Sequence, residues 1–202
     1  MMLSEILTEV QNETRNSALT VTTLVPVLNA LQTTYIQPKA RVQLDPATLS
    51  VVAATASYTI ASVSANIYAV RFITEVIGGK EYRLDDLLPE DNVESDGIRI
   101  WNEKFYFQPT PTAARTLKVY AWRKLTAFAT GSTSVSPDIP TDFHDLYVLG
   151  ASHRLKRRKD DMNVEAVDFW GAFLDRLNAL ESYQDRRRQV PARRKLKTKP
   201  WI

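Results

Sequence analysis

Apolar residues recur at helical spacing at both ends of this 202-residue chain and at nearly alternate positions through its middle. Leu3, Ile6, Leu7 and Val10 share one helical face, so the spacing predicts an amphipathic helix of about three turns. A second helix is predicted from Leu24 to about Tyr35, with Leu24, Leu28, Leu31 and Tyr35 on one stripe. Pro26 is placed in its first turn, where a missing N–H costs little.

From about residue 40 to 128 the texture is that of strands. Residues 48–54 and 57–62 are small and β-branched, and 67–77 is an apolar, β-branched run. Gly78-Gly79 then turns into 80–84, because a two-residue hairpin turn needs the positive φ that glycine adopts readily. Residues 98–101 and 104–108 flank a tight turn at Asn102-Glu103, and Pro109 and Pro111 interrupt before an alternating run over 116–124. The pattern predicts an antiparallel module of five to seven strands.

Residues 129–140 hold Gly131, three serines and two prolines and read as a loop. Thr141 is the expected N-cap of the next helix, with Phe143, Leu146, Tyr147, Gly150, Ala151 and Leu155 on its inner stripe. Arg154 and the run Lys156, Arg157, Arg158 and Lys159 crowd its C-terminus, where cations meet the negative end of the helix dipole. After Asp160-Asp161, with Asn163 as cap, a last helix is predicted with Val167, Trp170, Phe173, Leu174, Leu177 and Leu180 on its stripe.

Charge changes this picture only near the C-terminus. The net charge is +3, but Arg186, Arg187, Arg188, Arg193, Arg194, Lys195, Lys197 and Lys199 put +8 on residues 186–202 with no acid among them. The other 185 residues therefore total 3 − 8 = −5. A mildly acidic body with a basic tail suits an interaction arm. Such an arm could remain solvated, neutralise DNA phosphates without regard to sequence, or dock on an acidic protein groove with Trp201 as an apolar plug.

Reactive groups are sparse. There is no cysteine, so disulfides, thiolate metal sites and thiol catalysis are excluded. His144 and His153 are nine residues apart, about 900° around one helix, so they face opposite ways and cannot share a metal; a surface or interface role is expected of both. The acidic pairs 85–86, 90–91 and 160–161 are adjacent residues that diverge, and 85–91 reads as a short helical turn ended by Pro89. Neither a phosphate-cradling glycine loop nor a Gly-x-Ser-x-Gly elbow occurs. Trp101, Phe105, Tyr106 and Phe107 could stack nucleobases, although core and edge packing is the simpler use of aromatics in a hairpin. No enzyme activity, cofactor or metal is expected. The uncharged stretches 16–38 and 46–70 are too polar for a membrane span, and an N-terminus without early basic residues is unlike an export signal.

The run Asp138-Ile-Pro-Thr-Asp-Phe-His-Asp-Leu-Tyr-Val-Leu-Gly-Ala-Ser-His-Arg-Leu-Lys-Arg-Arg-Lys-Asp-Asp, followed by a helix carrying Phe169, Trp170, Phe173 and Leu177, resembles the signature stretch of tailed-phage head-to-tail adaptors. The whole layout is similar to the tail tubular protein A (gatekeeper) class. The resemblance implies a virion structural protein at the head–tail junction, made in the host cytoplasm. It implies a homo-oligomeric ring of about a dozen copies under the portal, continuing the DNA channel and presenting a platform to tail or nozzle proteins. It assigns Arg186–Ile202 to gripping the portal, and DNA contact in the channel is the alternative use of so basic an arm. Arg154, Lys156, Arg157, Arg158 and Lys159 are candidates for inter-subunit or channel-facing charges.

The expected fold is α+β. N-terminal helices (1–39) and a C-terminal helix pair (141–188) form a bundle, interrupted by an antiparallel β module (40–128) and a linker (129–140). An extended basic arm (189–202) follows.

Overall fold

The computed structural model describes residues 1–84, 97–159 and 164–188, with the side chains of 157–159, 164–166 and 187–188 left aside. The chain forms two compact units, a helical one from 1–42 with 125–188 and a β unit within 43–124.

Helix α1 (Leu3–Thr14) buries Leu3, Ile6 and Val10 completely. Its first amides would otherwise lack partners. Those of Leu3 and Ser4 donate to the carbonyls of Val135 (2.9 Å) and Thr133 (3.1 Å), and that of Met2 donates to the Glu5 carboxylate. Helix α2 (Val21–Leu31) begins earlier than its apolar stripe suggests, because the Thr20 hydroxyl accepts from the Thr23 amide and caps it. Pro26 consequently lies in the second turn, not the first. Nor does the helix stop at Tyr35. A π turn (Gln32–Ile36), closed by the Gln37 amide on the Gln32 carbonyl, leads into α3 (Gln37–Ala40). The wide turn ends two residues before Pro38, which has no N–H with which to continue an α ladder.

The β unit comprises β1 (Ala47–Val51), β2 (Ser57–Thr59), a helical turn α4 (Ile60–Val63), β3 (Ile67–Ile77), β4 (Lys80–Arg83), β5 (Gly97–Trp101), β6 (Lys104–Gln108) and β7 (Arg115–Arg123). The strand predicted over 57–62 ends at Thr59, whose hydroxyl accepts from the Ser62 amide and starts α4 instead. Gly78 and Gly79 both take positive φ in the β3–β4 hairpin; Asn102 and Glu103 do so without glycine between β5 and β6. The strands form two antiparallel sheets, ordered β1-β7-β3-β4 and β2-β6-β5. Leu49, Val51, Ile73, Leu117 and Val119 of the first pack with Ile98 and Phe105 of the second.

Thr141 does not act as a side-chain cap. It lies in a 3-10 turn (Thr141–Phe143) that Pro140 opens by accepting the Phe143 amide at 2.9 Å. Helices α5 (Asp145–Lys159) and α6 (Val164–Arg188) follow. Helix α5 packs on α1, α2 and α6, and α6 also reaches α3. Gly150 permits this: a Cβ there would stand 3.0 Å from both Leu31 methyls and 3.1 Å from the Phe173 ring. On α6, Phe173, Leu177 and Leu180 are buried, but Val167 (61% exposed) and Leu174 (39%) leave the predicted stripe and face outward.

Polar side chains inside the helical unit hold backbone. Asn29 donates to the Phe128 carbonyl (3.0 Å) and accepts its amide (2.8 Å). Buried Gln32 donates to the Thr126 carbonyl (3.1 Å), and buried Gln37 accepts the Leu125 amide (2.5 Å). The segment returning from the β unit is thereby fixed, with no buried amide left without a partner among these groups.

Candidate interaction surface

Two grooves flank the N-terminal half of α6. The larger, about 930 Å³, has a floor of Pro26, Val27 and Ala30 from one face of α2 and aromatic walls at Tyr35 and Trp170. Trp170 stacks on Phe173 (5.0 Å between centroids) and meets Tyr35 edge-on at 5.3 Å. Arg154 lies 5.8 Å from the Tyr35 centroid and, with His153, closes the rim on α5. The smaller groove, about 470 Å³, lies among α1, α5 and α6 and is lined by Glu13, Leu149, Lys156, Asp168 and Phe169. There the Lys156 ammonium sits 4.8 Å over the Phe169 ring.

Arg154 and Lys156 are thus not one patch. Two helical residues turn the chain by about 200°, which delivers the two cations to different grooves. Arg157, Arg158 and Lys159 complete α5, with side chains outside the described residues. Arg186 is exposed in the last turn of α6, and Arg187 and Arg188 end that helix. Arg193, Arg194, Lys195, Lys197, Lys199 and Trp201 lie outside the described residues, as do 85–91 and Asn163.

The last turns of α6 are held from the other side of the unit. Arg41 donates to Asp185 (2.6 Å) and Glu181 (3.2 Å), and Lys39 also donates to Glu181. The Lys39 hydrogen bond, helped by the charges of Lys39 and Arg41, holds the Glu181 carboxyl below the usual carboxylate range. Tyr183 packs against Phe143 at 5.5 Å.

His144 departs from the surface role expected of it. It is buried, with Nδ1 2.8 Å from the Met1 amino group and Nε2 2.9 Å from the Ile139 carbonyl, so it serves packing within the unit. His153 does reach a surface, beside the Trp170 ring.

In the β unit Phe105 is core, Phe107 edges Tyr58 at 5.9 Å and Trp101 is 61% exposed beside the hairpin turn. The outer face of the larger sheet carries a polar and aromatic network that sequence reading missed. Glu81 accepts from Lys118 (2.6 Å), Tyr120 (2.6 Å) and Thr74 (3.1 Å). Those bonds lower the Glu81 carboxyl, and the bond to Glu81, with burial, pushes the Tyr120 phenol up to about 12. Phe72 stacks on Tyr120 at 4.4 Å, and Arg83 lies 5.3 Å from the Phe72 centroid. These residues alternate with core positions, and cross-strand register alone brings them together.

Among the described residues no cluster of side chains is arranged to hold a metal ion, and no helix is long and apolar enough to cross a membrane. Grooves beside basic helix ends, on an α+β body whose ion pairs tie elements together, are the equipment of a protein that works through contact surfaces. The chain belongs to the SU10 adaptor protein family, whose sequence profile matches residues 1–195, and this is a family of phage head-to-tail adaptors. Among curated proteins, none matches the chain.

Proposed function

We propose that this virion structural protein assembles as a closed ring of about a dozen copies beneath the portal, continues the DNA channel and offers the tail its docking platform. The observation that carries the reading is the adaptor-family match across residues 1–195, which takes in both units and the start of the basic arm. Support also comes from the pinning of Glu181 and Asp185 by Lys39 and Arg41, which sets a firm origin for residues 186–202. In this reading the arm grips the portal by charge, with Trp201 as its apolar anchor, and the grooves beside α6 face other copies. DNA-filled heads assembled with a chain lacking 186–202 test the grip. Adaptor should be lost from purified heads, and unchanged occupancy would remove the arm from portal docking.

The charge of the arm favours a second reading, non-specific DNA binding. Eight cations without an acid would give duplex binding that weakens steeply with salt. Binding by the purified full chain with a log–log salt slope reflecting several of those cations would support it.

A further inference from the structure

We propose that the larger groove of the helical unit receives residues 85–96 of an adjacent copy, so that each copy is both donor and acceptor around the ring; this rests on the ring reading above. The groove has an apolar floor at Pro26, Val27 and Ala30, an aromatic wall at Trp170 and a cation at Arg154 on its rim. Within the described helical unit nothing fills it. Its occupant must combine apolar side chains with negative charge. Residues 186–202, with eight cations, would meet Arg154 with like charge. Residues 85–96 match instead. They carry Asp85, Asp86, Glu90, Asp91, Glu94 and Asp96 with no base, and Leu87-Leu88-Pro89 lies between the acidic pairs. The leucines answer the floor and Trp170, and the acids answer Arg154. A segment and a groove at different places on one chain make a heterologous contact, which repeats until the ring closes.

Purified chain added to DNA-filled heads that lack the adaptor tests this, with bound copies counted. R154E makes the groove repel the native segment, and D85K with D86K makes the segment repel the native groove. Each variant alone should lose occupancy about tenfold, whereas an equimolar mixture should recover it, because each variant's segment then suits the other's groove. Loss without recovery on mixing overturns contact between copies. Wild-type rings that both variants leave intact overturn this inference alone; wild-type protein that forms no ring on heads overturns the ring reading and this inference with it. Should R154E fail to fold, the absence of cysteine in the chain supplies a second measurement. Ala30→Cys with Leu88→Cys should oxidise on heads to a ladder of linked copies, and an unlinked or internally linked chain would refute the contact.

Discussion

Arg41 donates through Nη1 to the Asp185 carboxylate at 2.6 Å, one residue before the basic run of the C-terminus begins. The same guanidinium reaches Glu181, one helical turn earlier, and Lys39 joins it. R41A should lower stability by only about 0.5–1 kcal/mol, since the network is partly exposed. It should speed amide exchange selectively in the last two turns of α6. Equal exchange in wild type and variant would show that the pairing does not hold the helix end.

The network also has a pH signature. Glu181 has a folded-state value below its ordinary 4.5, so its contribution is present above that value and is lost as pH falls through the folded one. The melting-temperature gap between wild type and E181Q should be full at neutral pH and close in acid.

Two glycines should respond oppositely to alanine. At Gly150 the new methyl would press on Leu31 and Phe173, both fully buried, at distances where neighbours must move. Overpacking of about 1–3 kcal/mol should outweigh the helix-propensity gain of about 1 kcal/mol. At Gly171 a Cβ meets nothing within 4 Å, so G171A should stabilise by about 0.5–1 kcal/mol. Urea unfolding of both variants decides it.

Tyr147 is fully buried and donates to Gln32 at 2.8 Å, and burial pushes its phenol well above the ordinary 10. Y147F keeps the packing against Phe128 but leaves the Gln32 oxygen without that donor. A cost of about 1–2 kcal/mol in denaturant unfolding is expected.

In the β unit, Tyr120 with a value near 12 should be among the last phenols to ionise. Its folded value lies above its unfolded 10, so its stabilisation is intact below pH 10 and disappears as pH rises through about 12. Alkaline titration of tyrosinate absorbance should show a late step that Y120F abolishes.

Elements whose signal is local could be read from the chain. The α1 stripe, the Gly78-Gly79 hairpin and the two C-terminal helices needed only periodicity and turn chemistry. What escaped depends on partners distant in sequence. Thr20 and Thr59 are caps whose effect on boundaries outweighed the apolar pattern. Val167 and Leu174 have the right spacing for the core, but the core side of α6 is filled by Phe173, Leu177 and Leu180. The larger groove was illegible for the same reason. Trp170 and Tyr35 read as stripe residues, and only the packing of α2, α5 and α6 leaves them beside open space.

In an unbroken α-helix, residues five apart point about 140° away from one another. The π turn relaxes that divergence, and Gln32 and Gln37 both end on the connector backbone at Thr126 and Leu125. Excising one residue from 32–36 would yield a straighter rod, yet with one amide swung off its target. The tidier helix would be the poorer one, because it would release the only return path from the β unit to α5.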